Sequence, residues 1–147
     1  MPLWQIYHPS DTYTDQASKT SFASDITKMY KELGLPAFYV VTNFIPLPKG
    51  DILVGGKAID KPFIRIVITH IAITMPNEDE TYKRSTSRID QILKINVADL
   101  GYDWEYHIDE TERRLWKING MVPPSWGSEE ERVWVKENRA VFYEGAY

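Results

Sequence analysis

The chain reads as an α+β protein built from one strand–helix–strand unit used twice: about four main strands, two helices on one face of the sheet, a small hairpin and a C-terminal helix. Three observations carry this. Segments alternating with the two-residue period of a strand and segments with the 3.6-residue period of a helix follow one another in the same order twice. Each unit starts at a proline, Pro2 and Pro62, and each helix is closed by a glycine, Gly34 and Gly101. Parallel strands joined by a helix cross over right-handedly, so each half is expected to be a βαβ unit. The halves span about 2–48 and 62–110 of a single domain over 1–147, with an extension from 111 to 147.

The elements follow in order. Leu3 to His8 alternates, with Trp4, Ile6 and His8 on one face, and Pro9 stops it. Phe22, Ile26, Met29, Tyr30 and Leu33 recur at helical spacing, Thr14 or Asp15 can cap their start, and Gly34 with Pro36 ends the run. Phe38 to Phe44 is rich in β-branched and aromatic residues and closes at Pro46. The stretch DILVGG from Asp51 suits a short strand turning on two glycines. Phe63 to Ile73 is apolar on both faces, as expected for a central strand. An acidic first turn at Glu78, Asp79 and Glu80 opens the second helix, which runs through Ile89, Ile92, Leu93 and Val97 toward Gly101. Tyr102 to Ile108 alternates, with Trp104, Tyr106 and Ile108 opposite Glu105, His107 and Asp109, and Ser128 caps a last short helix ending near Asn138.

Composition narrows the function. The 43% hydrophobic and 13% aromatic content excludes a disordered chain. The net charge of −4 without a basic stripe argues against nucleic acid. No apolar run is long enough to span a bilayer, and no charged n-region precedes an apolar core, so a cytoplasmic location is expected. With no cysteine, thiolate chemistry is excluded; the three histidines lack a third ligand at metal spacing, so neither metal nor cofactor is expected. Both helices on one face leave the other face of the sheet uncovered, which predicts oligomerisation through it. Pro2 is an ordinary strand-initiating proline unless Met1 is removed, which the small residue after it permits. Its nitrogen then becomes a secondary amine held by an ordered strand and able to take or give a proton.

The ordered set MPLWQIYHP, FASDITKMY, TNFIP, LVGG, THIA and WEYHIDE resembles the tautomerase superfamily, in particular its cis-3-chloroacrylic acid dehalogenase-like branch and the fungal tautomerases grouped with it. The resemblance covers all but the last twenty or so residues. It implies a homotrimer with the amino-terminal proline at the mouth of an apolar pocket, acting as base on a keto or enol acid or, when protonated, as acid in dehalogenation and hydration. Pro2 stands in the place of the catalytic proline and Tyr106 in that of the tyrosine that positions water or substrate. Tyr30 occupies the place of a substrate-binding histidine, and His70 lies where the family has a pocket histidine. Where two arginines hold the substrate carboxylate the chain has Ile71 and Thr74, and near Trp116 to Asn119 the water-activating glutamate is missing.

Losing two charged hydrogen bonds of roughly 1.5 to 3 kcal/mol each would weaken carboxylate binding by about two to four orders of magnitude. Efficient dehalogenation is therefore not expected, and Arg65, Arg113, Arg114 or Lys117 would have to supply a cation. The expected site is Pro2 and Tyr106 as catalytic residues, with Tyr30, His70, Arg65, Thr74 and Asn119 binding substrate. Glu105, His107, Asp109 and Glu110 are expected on a solvated face, and His8 and His107 at strand ends or solvated positions. The expected function is a proline-dependent keto–enol tautomerase, with possible hydratase or decarboxylase side reactions, on a small keto or unsaturated acid. The alternative is a noncatalytic trimer that binds a small apolar ligand.

Overall fold

The computed structural model describes residues 1–146. Strands β1 (Pro2–Pro9), β2 (Val41–Leu47), β5 (Phe63–Ile71) and β6 (Asp103–Thr111) form one sheet in the order β2-β1-β5-β6. β1 runs parallel to β2 and β5 parallel to β6, as two βαβ units require, and the units join antiparallel through β1 and β5. β3 (Leu53–Val54) and β4 (Lys57–Ala58) form the small hairpin, turning at Gly55 and Gly56, both with positive φ.

Helix α1 (Gln16–Glu32) starts where Asp15 accepts the Ser18 amide at 2.7 Å and buries Phe22, Ile26 and Tyr30, one residue per turn. Helix α2 (Asp79–Asn96) carries acidic residues at its positive end and buries Ile89, Ile92 and Leu93. Between the helices and the sheet, alternate strand residues Trp4, Ile6, Ile64, Ile66 and Ile68 are completely buried. Odd-numbered residues of β1 and β5, among them Leu3, Tyr7, Arg65 and Val67, lie on the other face, and all of these are half-buried. No helix among the described residues is long and apolar enough to cross a membrane.

The bounds of two strands differ from the sequence reading. Residues Ala37–Tyr39 form a turn of 3-10 helix after Pro36, and β2 then runs through Pro46 to Leu47. β2 is an edge strand, where a missing amide can face outward, so Pro46 does not stop it. At its other end β5 stops at Ile71, because Ala72 adopts φ +66 and turns the chain out of the sheet.

His8 corrects an expectation. It is 1% exposed rather than solvated, with Nδ1 against the Pro9 carbonyl at 2.9 Å and the Thr12 hydroxyl at 3.0 Å, and its ring stands edge-on to Tyr13. The alternation of β1 puts it on the same inward face as Trp4 and Ile6, and that decides its burial. His107 is exposed, as expected, with Glu105, Asp109 and Glu110.

The extension folds back on the sheet end where β1 begins. Helix α3 (Glu129–Glu137) is capped by Ser128, and its Trp134 is completely buried, donating to the Val141 carbonyl at 2.7 Å. The Asn138 side chain accepts the Phe38 amide at 2.9 Å, tying the end of α3 to the 3-10 turn. Trp116 and Tyr143 pack on the same cluster, whereas Trp126 and Phe142 stay exposed.

Ile66 sits fully buried in a central strand, between Ile6 and Tyr106. Ile66→Ala is expected to destabilise the fold by about 3 kcal/mol, whereas Ile95→Ala, 63% exposed, should change stability by less than about 0.5 kcal/mol. Urea unfolding of both variants measures this.

Candidate active site

Antiparallel pairing sets Pro2 opposite His70, with both residues buried on the helix-facing side. Ahead of Pro2, Met1 extends the ladder by one residue: its carbonyl accepts the Ile71 amide and its amine donates to the Ile71 carbonyl, each at 2.7 Å. Burial pushes that amine down to about 5, while the charge of Glu131 on α3 opposes the shift. An amine desolvated in this way is a free base at neutral pH.

His70 is 7% exposed and belongs to a buried relay. The Trp4 indole donates to the Tyr30 hydroxyl at 3.1 Å, and that hydroxyl stands 2.9 Å from His70 Nε2. Because the Tyr30 oxygen already accepts from Trp4, its own proton is available to His70, which makes Nε2 the acceptor and puts the ring proton on Nδ1. Burial, and after it the positive terminus, lowers His70 to about 4, so the ring is neutral. Burial raises the Tyr30 phenol, and it stays protonated.

A cleft of about 170 Å³ opens on this relay between α1 and α2, lined by Tyr30, His70, Met75, Arg84, Ser85 and Arg88 among others. Arg84 and Arg88 are exposed at its rim and one turn apart, and among the described residues neither has an ion-pair partner. Like charges at this spacing repel by a few tenths of a kcal/mol, a cost that an anion seated between them would reverse. A far larger open groove of about 1100 Å³ follows α1 and the β2 edge, where Lys19, Lys28 and Lys31 lie among hydroxyl and amide side chains, away from the relay.

Of the expected site residues, the structure brings together Pro2, His70 and Tyr30. Tyr106 lies elsewhere. It pairs with Ile66, four residues from the level of Pro2 and His70, or about 13 Å along the sheet at ~3.3 Å per residue. Its hydroxyl donates to Asp90 on α2 at 3.2 Å, and burial together with that carboxylate raises it to about 12.

Arg65 faces the opposite side of the sheet, held by Glu105 at 3.3 Å and by His107, because odd residues of β5 point away from the helices. Thr74 is exposed in the loop after β5. Asn119 has a structural reason for being where it is: with Gly120 it takes positive φ in a two-residue turn closed by Ile118 and Met121, each amide donating to the other's carbonyl at 2.9 Å. Arg113 donates to the Pro123 carbonyl, and Arg114 pairs with Glu112 at 2.9 Å. Neither of these arginines lines the cleft.

The sequence reading passed over Arg84, Arg88, Trp4 and Glu131. A signal for the arginines existed in RSTSR, two cations one helical turn apart on the helix that follows the pocket strand. Trp4 and Glu131 carry no such mark, since an indole on a buried strand face and a glutamate in a helix's first turn are ordinary.

Residues 1–139 match the model of the Tautomerase_3 family, described as "Putative oxalocrotonate tautomerase enzyme". The chain belongs to this family. It is 44% identical, over 97% of its own length and 98% of the other's, to a protein described as a probable enzyme from the thermophilic fungus Aspergillus fumigatus, with a TM-score of 0.89. It is 38% identical to RhCC from Rhodococcus jostii RHA1, covering 96% of this chain and 99% of that one, with a TM-score of 0.90. A cis-3-chloroacrylic acid dehalogenase family member, N1, shares the fold at 16% identity, 92% and 97% coverage and a TM-score of 0.67. No curated protein sequence matches the chain.

The low-lying His70 makes stability pH-dependent with a defined sign. The unfolded chain binds a proton at His70 near pH 6.5, but the folded chain resists it down to about 4, so the folded state is favoured fully above 6.5 and loses ground as pH falls between these values. At about 1.4 kcal/mol per unit the loss is on the order of 3 kcal/mol, and buried His8, also held low, adds to it. Urea midpoints measured from pH 7.5 to 4 should fall accordingly, and His70→Gln should remove its share of the slope.

Proposed function

We propose that the chain, once Met1 is removed, is a proton-transfer enzyme of the keto–enol tautomerase type acting on a small 2-keto, enol or unsaturated carboxylic acid. The observation that carries the reading is the pairing of Pro2 with His70, whose relay forms the wall of a cleft rimmed by two unpaired arginines. The substrate carboxylate docks on Arg84 and Arg88, and its carbon chain lies toward Pro2. The lone pair of the Pro2 amine takes the enol hydroxyl proton as the O–H pair becomes the carbonyl π bond, and the C=C pair accepts a proton from the resulting ammonium at carbon 3. The Tyr30 hydroxyl orients neutral His70, whose Nδ1–H is the donor that polarises the substrate oxygen without adding charge.

Two further features belong to this proposal. Thr74 and Asn119 are not needed by it, and Tyr106 reaches a Pro2 only across a subunit boundary in a homotrimer. Dehalogenation stays inefficient, because positions Trp116 to Asn119 carry no glutamate to activate water. A chain that retains Met1 has a tertiary amide at Pro2 and would be left with a binding role alone.

The deciding experiment is enol-to-keto conversion of phenylenolpyruvate by protein whose intact mass lacks methionine. Pro2→Ala should reduce kcat/KM by at least about 100-fold, the scale of a lost general base. Arg84→Gln and Arg88→Gln should each raise KM by roughly 10- to 100-fold with little change in kcat, matching the loss of one charged hydrogen bond that is as strong in the ground state as in the transition state. Turnover indifferent to Pro2 would overturn the proposal.

A further inference from the structure

The cleft over His70 has two unlike walls. Helix α2 supplies one, carrying Arg84 and Arg88 with the Ser85 hydroxyl between them in sequence. Helix α1 and the loop after β5 supply the rest, with Met29, Leu33 and Met75. Buried Tyr30 and His70, 2.9 Å apart, form the floor. Among the described residues the two arginines are the only charged side chains that line this space. The division originates in α1 itself. Its Lys28, Lys31 and Glu32 line the large groove along β2, and Met29 and Leu33, one turn apart, are left to the cleft.

Such a space reads the two ends of a bound molecule differently. A carboxylate against the arginines gains charged hydrogen bonds, whereas one pressed on Met29 and Leu33 loses water and finds no partner. An apolar group gains from that same contact. Leu33 is 41% exposed, so the wall has apolar surface still to cover. Size sets a second limit. An apolar cavity of about 150 Å³ takes a benzene ring, and this cleft measures about 170 Å³. Met29 and Met75 are unbranched and adaptable, which lets the wall fit substituents of more than one shape.

We propose that Met29, Leu33 and Met75 are specificity-determining residues, and that they select a monocarboxylic acid whose third carbon carries an apolar group no bulkier than a benzene ring. A dicarboxylic acid is rejected, because its second charge meets this wall. The inference rests on the reading of the cleft as the substrate site and of Arg84 and Arg88 as its carboxylate dock. With the carboxylate held on α2, the chain crosses the floor past His70 and Pro2, and the substituent on carbon 3 lies against α1. Selectivity is then a difference between two walls of one cleft.

Saturated acids test this without turnover. Protein carrying carbon-13 in its methionine methyl groups is titrated by NMR with propanoate, butanoate and hexanoate, and with adipate, in which a second carboxylate replaces the hexanoate methyl. Of the four methionines, Met29 and Met75 should shift and Met121, outside the cleft, should not. Affinity should rise about fourfold for each added methylene. Adipate should bind at least about 10-fold more weakly than hexanoate. Leu33→Lys changes an exposed position at the C-terminal end of α1, where a cation suits the helix, and should reverse that order. Flat affinity along the series, unmoved Met29 and Met75 signals, adipate bound as tightly as hexanoate, or an unreversed order in folded Leu33→Lys each overturns the inference. The tautomerase reading survives any of these if enol turnover still depends on Pro2. The expected series in protein whose turnover is indifferent to Pro2 upholds the selection and overturns the tautomerase reading instead. The wild-type series decides by itself should Leu33→Lys not fold.

Discussion

The antiparallel pairing of β1 with β5 is the constraint on which the rest of the molecule depends. Each βαβ half could form its own parallel pair, but two parallel strands and a helix bury too little to stand alone. Joining the halves places Trp4 and Ile6 beside Ile64, Ile66 and Ile68 on one continuous inward surface, broad enough for both helices. A slip of one residue would put Trp4 and Ile6 on the opposite face from Ile64, Ile66 and Ile68, so the register is held by the core itself. The same register brings Pro2 to His70.

Burial and charge compete at that end of the sheet. Desolvation drives both the amine and His70 toward their neutral forms, and the positive terminus adds to the effect on His70. The Tyr30 hydroxyl occupies the His70 acceptor nitrogen. The positive charge of Arg84 and Arg88 sits apart, on α2 at the cleft rim and exposed to solvent.

Little of this arrangement lies on the face of the sheet away from the helices. There the ladder of Glu105, Arg65, His107 and Asp109 satisfies its own charges. Half-buried Leu3, Tyr7 and Val67 share that face, a mixture of apolar and paired polar groups rather than a dry core. The clustering of the chemistry at one end and on one side follows from strand alternation, which sends even residues of β1 and β5 to the helices and odd ones away.

The sequence by itself determined the two βαβ units, the inward faces of their strands and the cap at Ser128, and it narrowed the first cap to Thr14 or Asp15. Each of these is written in local periodicity or in the chemistry of one turn. Arg65 points away from the helices, because the parity of its strand position and not its charge decides its face. Asn119, expected as a ligand, makes a turn with Gly120 instead. Only the tertiary structure decided that Trp4 and Tyr30 would serve His70, that Arg84 and Arg88 would rim the cleft, and that Glu131 would face inward. Those contacts join residues 26 to 40 positions apart or more, and no period of 2 or 3.6 residues extends that far.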